Sequence, residues 1–250
     1  MKKLIILLFL FTVPFKIYAQ KWKNEVICST DTLVVEPQTE ARSLQKNQKE
    51  IEFQPYRIVE CRTRSNFGLR LDVAVSNYYY GEKTTSWLGQ HAGPNINLSL
   101  TVDKFNIGIR FKPWTVEPQK ELEFNGVILP TTARLNPIKI DYYLGYSIDF
   151  DRLISIEPYL GYNHSSFVVI NEDVLNQNFS FENTGGLILG TTVNKYFRLK
   201  DYEYLSIFGS IGYAFVNFEK VQPSLDNGYL EWNLGVAFKG FFTRNFNRRV

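Results

Sequence analysis

Cysteine, methionine and histidine are scarce: the 250 residues hold two Cys, one Met and two His, beside only 10 Pro. So few cysteines exclude a disulfide-dense scaffold, and so few prolines among 16% aromatic residues exclude collagenous and disordered chains. Beyond the N-terminus no apolar run approaches the roughly 20 residues a spanning helix needs, so a polytopic helical membrane protein is excluded too. An excess of one charge sign is also missing. The formal +3 is owed to Lys2, Lys3 and Lys16, and without them 25 basic residues face 25 acidic ones. A neutral chain gives no argument for nucleic acid. What the sequence does have is 44% hydrophobic residues spread in short segments, enough for one folded domain.

The N-terminus sets the compartment. Met1-Lys2-Lys3 is a basic start, Leu4 to Val13 an apolar core, Pro14 a break, and Ile17-Tyr18-Ala19 ends on a small residue suited to cleavage. Residues 1–19 therefore predict a secretory signal peptide. A membrane anchor is the alternative, but the apolar core is about half the length required. Cys28 lies well past the position of a lipoprotein cysteine.

From Phe67 onward the apolar period is two. Phe67, Leu69, Leu71, Val73 and Val75 share one parity, with Arg70 and Asp72 on the other. The pattern recurs from Pro94 to Val102, Phe105 to Lys112, Ile138 to Ile148, Ile154 to Asn163, Leu187 to Val193, Leu205 to Phe215 and Leu230 to Gly240. That makes eight strands. No apolar-parity position is charged, whereas the other parity carries Arg70, Asp72, Arg110, Lys112, Lys139, Asp141, Glu157, Glu231 and Lys239.

A soluble antiparallel sandwich would show the same alternation with its apolar side turned inward. Three features favour lipid instead. The segments run about nine to eleven residues, the length of a tilted strand crossing a bilayer. Connections alternate between short, as at Asp103-Lys104 and Asp149 to Arg152, and long, as at 77–93 and 113–136. Aromatics gather at the strand ends, with Tyr78, Tyr79, Tyr80, Trp114, Tyr162, Phe215 and Trp232 on the long-loop side. Phe105, Phe150, Phe197, Tyr202 and Phe242 mark the short-turn side, and two girdles are expected. In hydrocarbon an unpaired sheet edge is too costly to persist, so the sheet must close. The expectation is an all-β, eight-stranded, antiparallel up-and-down transmembrane barrel over 67–242, with both termini in the periplasm. A barrel of eight strands is filled by its own side chains. The five inward cations and four inward anions then predict a lumen network of salt bridges, because a buried unpaired charge costs several kcal/mol.

In this architecture residues 67–242 resemble the small outer-membrane barrels of the OmpX and OmpA transmembrane-domain kind, within the porin-like barrel family. The last segment is similar to the C-terminal signal read by the outer-membrane assembly machinery, with Asn233, Gly235 and Phe238 at matching spacing. It departs in having Gly240 where another hydrophobic residue is usual, and in continuing as a tail over 243–250. The resemblance implies outer-membrane lipid, lipopolysaccharide and that machinery as partners, with any envelope protein partner unidentified. Pro158 removes a ladder donor and predicts a bulge.

Residues 20–66 read as a periplasmic extension; Thr39 to Phe53 could form a short helix capped by Thr39, but its apolar positions Leu44 and Ile51 are too sparse for a buried stripe. Two further strands at about 26–35 and 56–64, making ten, are the alternative. Cys28 and Cys61 both lie here, and in an oxidising compartment a disulfide between them is expected; free thiols are the other option.

Catalytic material is thin: there is no phosphate loop, zinc-spaced ligand set or nucleophile elbow, so neither cofactor nor metal is expected. His164-Ser165-Ser166 is similar to the outward His-x-Ser of outer-membrane lipid A deacylase barrels, with Glu172 or Glu182 available to orient the imidazole. It lacks the Asn-Ala that usually follows the serine. Tyr78 to Tyr80, Trp87 and Trp114 could also form a binding rim, although girdle packing explains them without a ligand. The reading that results is a non-enzymatic outer-membrane barrel with a plugged lumen and a structural, adhesive or envelope-assembly role. A lipid A esterase using His164, Ser166 and Glu182 is one alternative, and a narrow solute channel another.

Overall fold

The computed structural model describes residues 26–35 and 56–249 apart from 114–115, 125–126, 152, 170–179, 182–184 and 222. The expected leader (1–19), the weakly patterned segment Thr39 to Phe53, and Trp114, Glu172 and Glu182 lie outside the described residues. The elements in chain order are β1 (Val26–Val35), β2 (Tyr56–Tyr80), α1 (Glu82–Leu88), β3 (His91–Val102), β4 (Phe105–Lys112), β5 (Leu122–Phe124), β6 (Val127–Leu129) and β7 (Leu135–Tyr146). They continue with β8 (Ile148–Asp151), β9 (Ile154–Val169), β10 (Ser180–Phe181), β11 (Gly186–Lys200), β12 (Glu203–Ala214) and β13 (Tyr229–Arg249).

Eight of these close into a barrel. Neighbours run β2-β13-β12-β11-β9-β7-β4-β3, and β3 pairs back onto β2, so no edge remains within the ring. Every pairing is antiparallel between strands joined consecutively, apart from the β2–β13 seam that joins first to last. The tight turns fall where short polar pairs stand. Asp103 takes φ 58° and Tyr202 φ 63°, left-handed values that let two residues reverse the chain. No described helix is long and apolar enough to cross a membrane.

Polarity is inverted relative to a soluble core. Leu69, Leu98, Ile107, Leu160 and Leu234 are 48–59% exposed, whereas Lys112, Lys139, Asp141 and Glu231 are 0% exposed. A sandwich would have hidden the leucines and shown the charges, so that alternative fails.

Several local expectations change. No bulge forms at Pro158: the β9–β11 register runs unbroken from Gly186↔Asn163 to Lys195↔Ile154, with Thr191 opposite the proline. On its other side the ladder passes from Gly145↔Tyr159 in β7 to Ile148↔Ile156 in β8, and Pro158 sits beside that interruption. The ring therefore costs the sheet little. Tyr78 and Tyr80 do not join a girdle. They share the inward parity and are buried, leaving Tyr79 outside. Tyr202 is likewise buried, with its hydroxyl donating to the Arg62 carbonyl at 3.1 Å. Residues 26–35 and 56–64 are both strand, as the ten-stranded alternative had it, but the barrel count stays at eight. The second is the continuous lower end of β2, and β1 pairs only with that end. β13 runs as one strand through position 242, where its register with β2 shifts between Phe241 and Thr243, and pairs with β2 as far as Arg249↔Ile58. A three-stranded sheet, β1-β2-β13, thus projects from the short-turn end. The disulfide Cys28–Cys61 clamps it across directly opposed residues.

Candidate functional site: the lumen and its cap

Alternation delivers every inward charge to one narrow column. Arg70 and Asp72, two apart on β2, bond at 2.7 Å, and Arg70 also reaches Glu157 of β9 at 3.3 Å. Higher up, the Lys112 ammonium is gripped by Asp141 of β7 and by Glu231 of β13, the latter at 2.6 Å. Asn163 donates to Asp141 at 2.5 Å, and Asn97 donates to Asp72 at 2.8 Å and to the Tyr143 hydroxyl at 3.0 Å. Asn233 accepts from Asn95 at 3.0 Å and from Ser76, and donates to Ser210 at 2.9 Å. These amides stitch strands across the lumen, so the carboxylates retain polar partners after losing water.

The expected ladder is only part of the network. All four carboxylates gather around two cations, Arg70 and Lys112. Arg110 instead lies between the rings of Tyr143 and Tyr159, 4.1 and 4.0 Å from their centres. Lys139 sits 4.2 and 4.0 Å from the Tyr78 and Tyr229 rings and donates to the Tyr80 hydroxyl at 2.8 Å. Lys239 stands 5.2 Å from the Phe241 ring and 5.9 Å from Tyr196. The negative ring face attracts a desolvated cation, worth about 2 kcal/mol, without supplying the opposite charge a carboxylate would. Inward tyrosines were the missed members, and inward glycines were their signal. A Cβ at Gly108 would come within 2.6 Å of the Tyr143 ring, and one at Gly190 within 2.6 Å of the Tyr159 ring. The glycines let those rings lie flat across the lumen.

Little space is left. A cavity of about 10 Å³, bounded by Arg70, Asp72, Asn97, Arg110, Tyr143 and Glu157, is about one water in size. Above it the long connections fold inward as a cap. Trp87 and Leu88 of α1 pack with Val116, Leu129, Phe218, Val221 and Leu225 over Tyr78 and Tyr80. Asp226 ties the cap together: its carboxylate accepts from the Lys83 amide at 2.8 Å, and its main chain exchanges hydrogen bonds with the Thr84 hydroxyl at 2.9 Å each. Trp87 is thus a cap residue and not an exposed rim aromatic.

With the charged column inside and the leucine wall outside, the ring has the polarity that a lipid surround requires. The chain is a closed, eight-stranded antiparallel β-barrel of the transmembrane kind. Neisserial surface protein A is similar in fold at 12% identity and TM-score 0.46, over 71% of this chain and 98% of that one. Ail of Yersinia pestis, solved with the heparin analogue sucrose octasulfate, gives 13% identity and TM-score 0.44 over 69% and 97%. The N-terminal barrel domain of Pseudomonas aeruginosa OprF gives 12% and 0.38 over 71% and 99%. No protein-family model and no curated protein sequence matches the chain.

His164 and Ser166 stand opposite Ile140 and Ile138 on the long-loop half of β9. His164 is half-buried, and among the described residues no carboxylate bonds to it. The described residues hold no cluster of three or more metal-ligating side chains.

Proposed function

We propose that this protein is a non-conducting, non-enzymatic outer-membrane barrel that holds a rigid loop cap at the cell surface in a structural or adhesive role. The observation that carries the reading is the filled lumen: two carboxylate-bound cations and three ring-bound cations crowd it, and the cavity beside Arg70 and Arg110 has room for about one water. The cap supports it, because loops with their own packed core offer a fixed external surface more readily than a gated pore. The short-turn end, which holds both the N-terminal sheet and the C-terminus, faces the periplasm in this reading. Lipopolysaccharide and phospholipid surround the wall, and the assembly machinery inserts the chain.

Planar-bilayer recording of the refolded protein tests the central point. The expected result is a quiet membrane; steady stepwise currents of ordinary porin size would overturn the filled-lumen reading. External protease applied to intact cells tests the orientation, which requires cleavage to be confined to the long connections.

A further inference from the structure

Beyond Gly240, β13 leaves the barrel through a register shift between Phe241↔Gly68 and Thr243↔Arg64, where β2 carries two extra residues, so the parity of both strands is kept. Phe242, Arg244, Phe246 and Arg248 therefore lie on the side continuous with the outward wall residues Val236 and Phe238, while Thr243, Asn245 and Asn247 lie on the other. The two sides differ in kind. On the outward side Phe242 is 54% and Phe246 38% exposed, each followed by an arginine. Arg57 of β2 joins that side beyond Val59, which stands opposite Arg248. The other side is polar throughout, with Glu60, Arg62 and Arg64 opposite Asn247, Asn245 and Thr243 and no aromatic residue. Asp31 falls in the irregular stretch of β1 between Cys28 and Thr32. Among the described residues neither Arg244 nor Arg248 takes part in an ion pair.

We infer that this Phe-Arg-Phe-Arg face is a binding surface for anionic phospholipid headgroups in the leaflet at the short-turn end. The depth fits. Phe242 to Phe246 covers about 13 Å of strand, which at the usual tilt is about 10 Å of depth, enough to pass from the hydrocarbon boundary through the headgroups. Phenylalanine tolerates that boundary, and an arginine fork matches a phosphate with two parallel hydrogen bonds. A basic strip so close to an anionic surface gains about fivefold in association per arginine. The disulfide makes the geometry durable, since Cys61 stands opposite Phe246 and is tied to Cys28 of β1 beside the strip.

The test uses the full chain in phosphatidylcholine bilayers and reads the association of spin-labelled phosphatidylglycerol relative to spin-labelled phosphatidylcholine. Wild type is expected to select the glycerol lipid, and the selection is expected to weaken in high salt. The R244Q/R248Q variant is expected to lose the selection. An R62Q/R64Q variant, neutralised on the opposite side, is expected to keep it, and all three must migrate anomalously on gels until boiled. Absence of selection in wild type would overturn the proposal. So would equal loss in both variants, or a protein segment cross-linked at Phe246 in cells with no lipid selection in vitro.

Discussion

At the scale of single residues, the lumen concentrates its risk at Lys112. Its ammonium bonds both Asp141 and Glu231, and all three side chains are 0% exposed. Replacing it by Met takes from both carboxylates the cation they bond. We expect Lys112→Met to cost about 3–5 kcal/mol of unfolding free energy, measured as a shift of the urea midpoint in detergent. Adding Asp141→Asn and Glu231→Gln should restore much of that loss, because the repulsive charges go with the cation. A triple variant no more stable than the single one would show that Lys112 acts through packing. Arg110 belongs to a different class. Its guanidinium is held by the faces of Tyr143 and Tyr159, so its removal strands no carboxylate.

At the scale of elements, the projecting sheet and the barrel are separable. The disulfide closes a sequence separation of 33 residues outside the ring of eight strands. A Cys28→Ser/Cys61→Ser protein should lose protease resistance in β1, by up to about 4 kcal/mol of local stability on chain-entropy grounds, while the heat-dependent gel shift of the barrel stays unchanged. Limited proteolysis beside that gel decides the matter, and loss of the gel shift would make the extension part of the barrel's own stability. The ring itself was legible from period and parity, because lipid and lumen impose opposite demands on alternate residues. Strand ends were not. β11 runs to Lys200 and β2 starts at Tyr56, since outside the bilayer no apolar parity is needed and pairing alone sustains a strand. The ion pairs around Arg70 and Lys112 followed from counting inward charges. The ring-bound cations did not, because a tyrosine on the inward parity looks no different from one destined for a girdle.

At the scale of the whole molecule, cap and barrel form a closed vessel with one stitched lid. Asp226→Ala removes the carboxylate that receives the Lys83 amide and should cost the lid about 1 kcal/mol. The expected outcome is faster proteolysis within the long connections and an unaltered boiling requirement for the barrel. Equal cleavage rates in variant and parent would mean that the apolar contacts of Trp87 and Phe218 hold the lid by themselves. The seam between β2 and β13 has a different kind of consequence. It is made by the first and last strands of the ring, and its register extends from Tyr229↔Tyr80 to Arg249↔Ile58. A ribosome that stalls early therefore releases a product with two raw margins that cannot meet. Biosynthetic completeness is checked by closure itself, and the cell's proteases need only recognise what failed to become a ring.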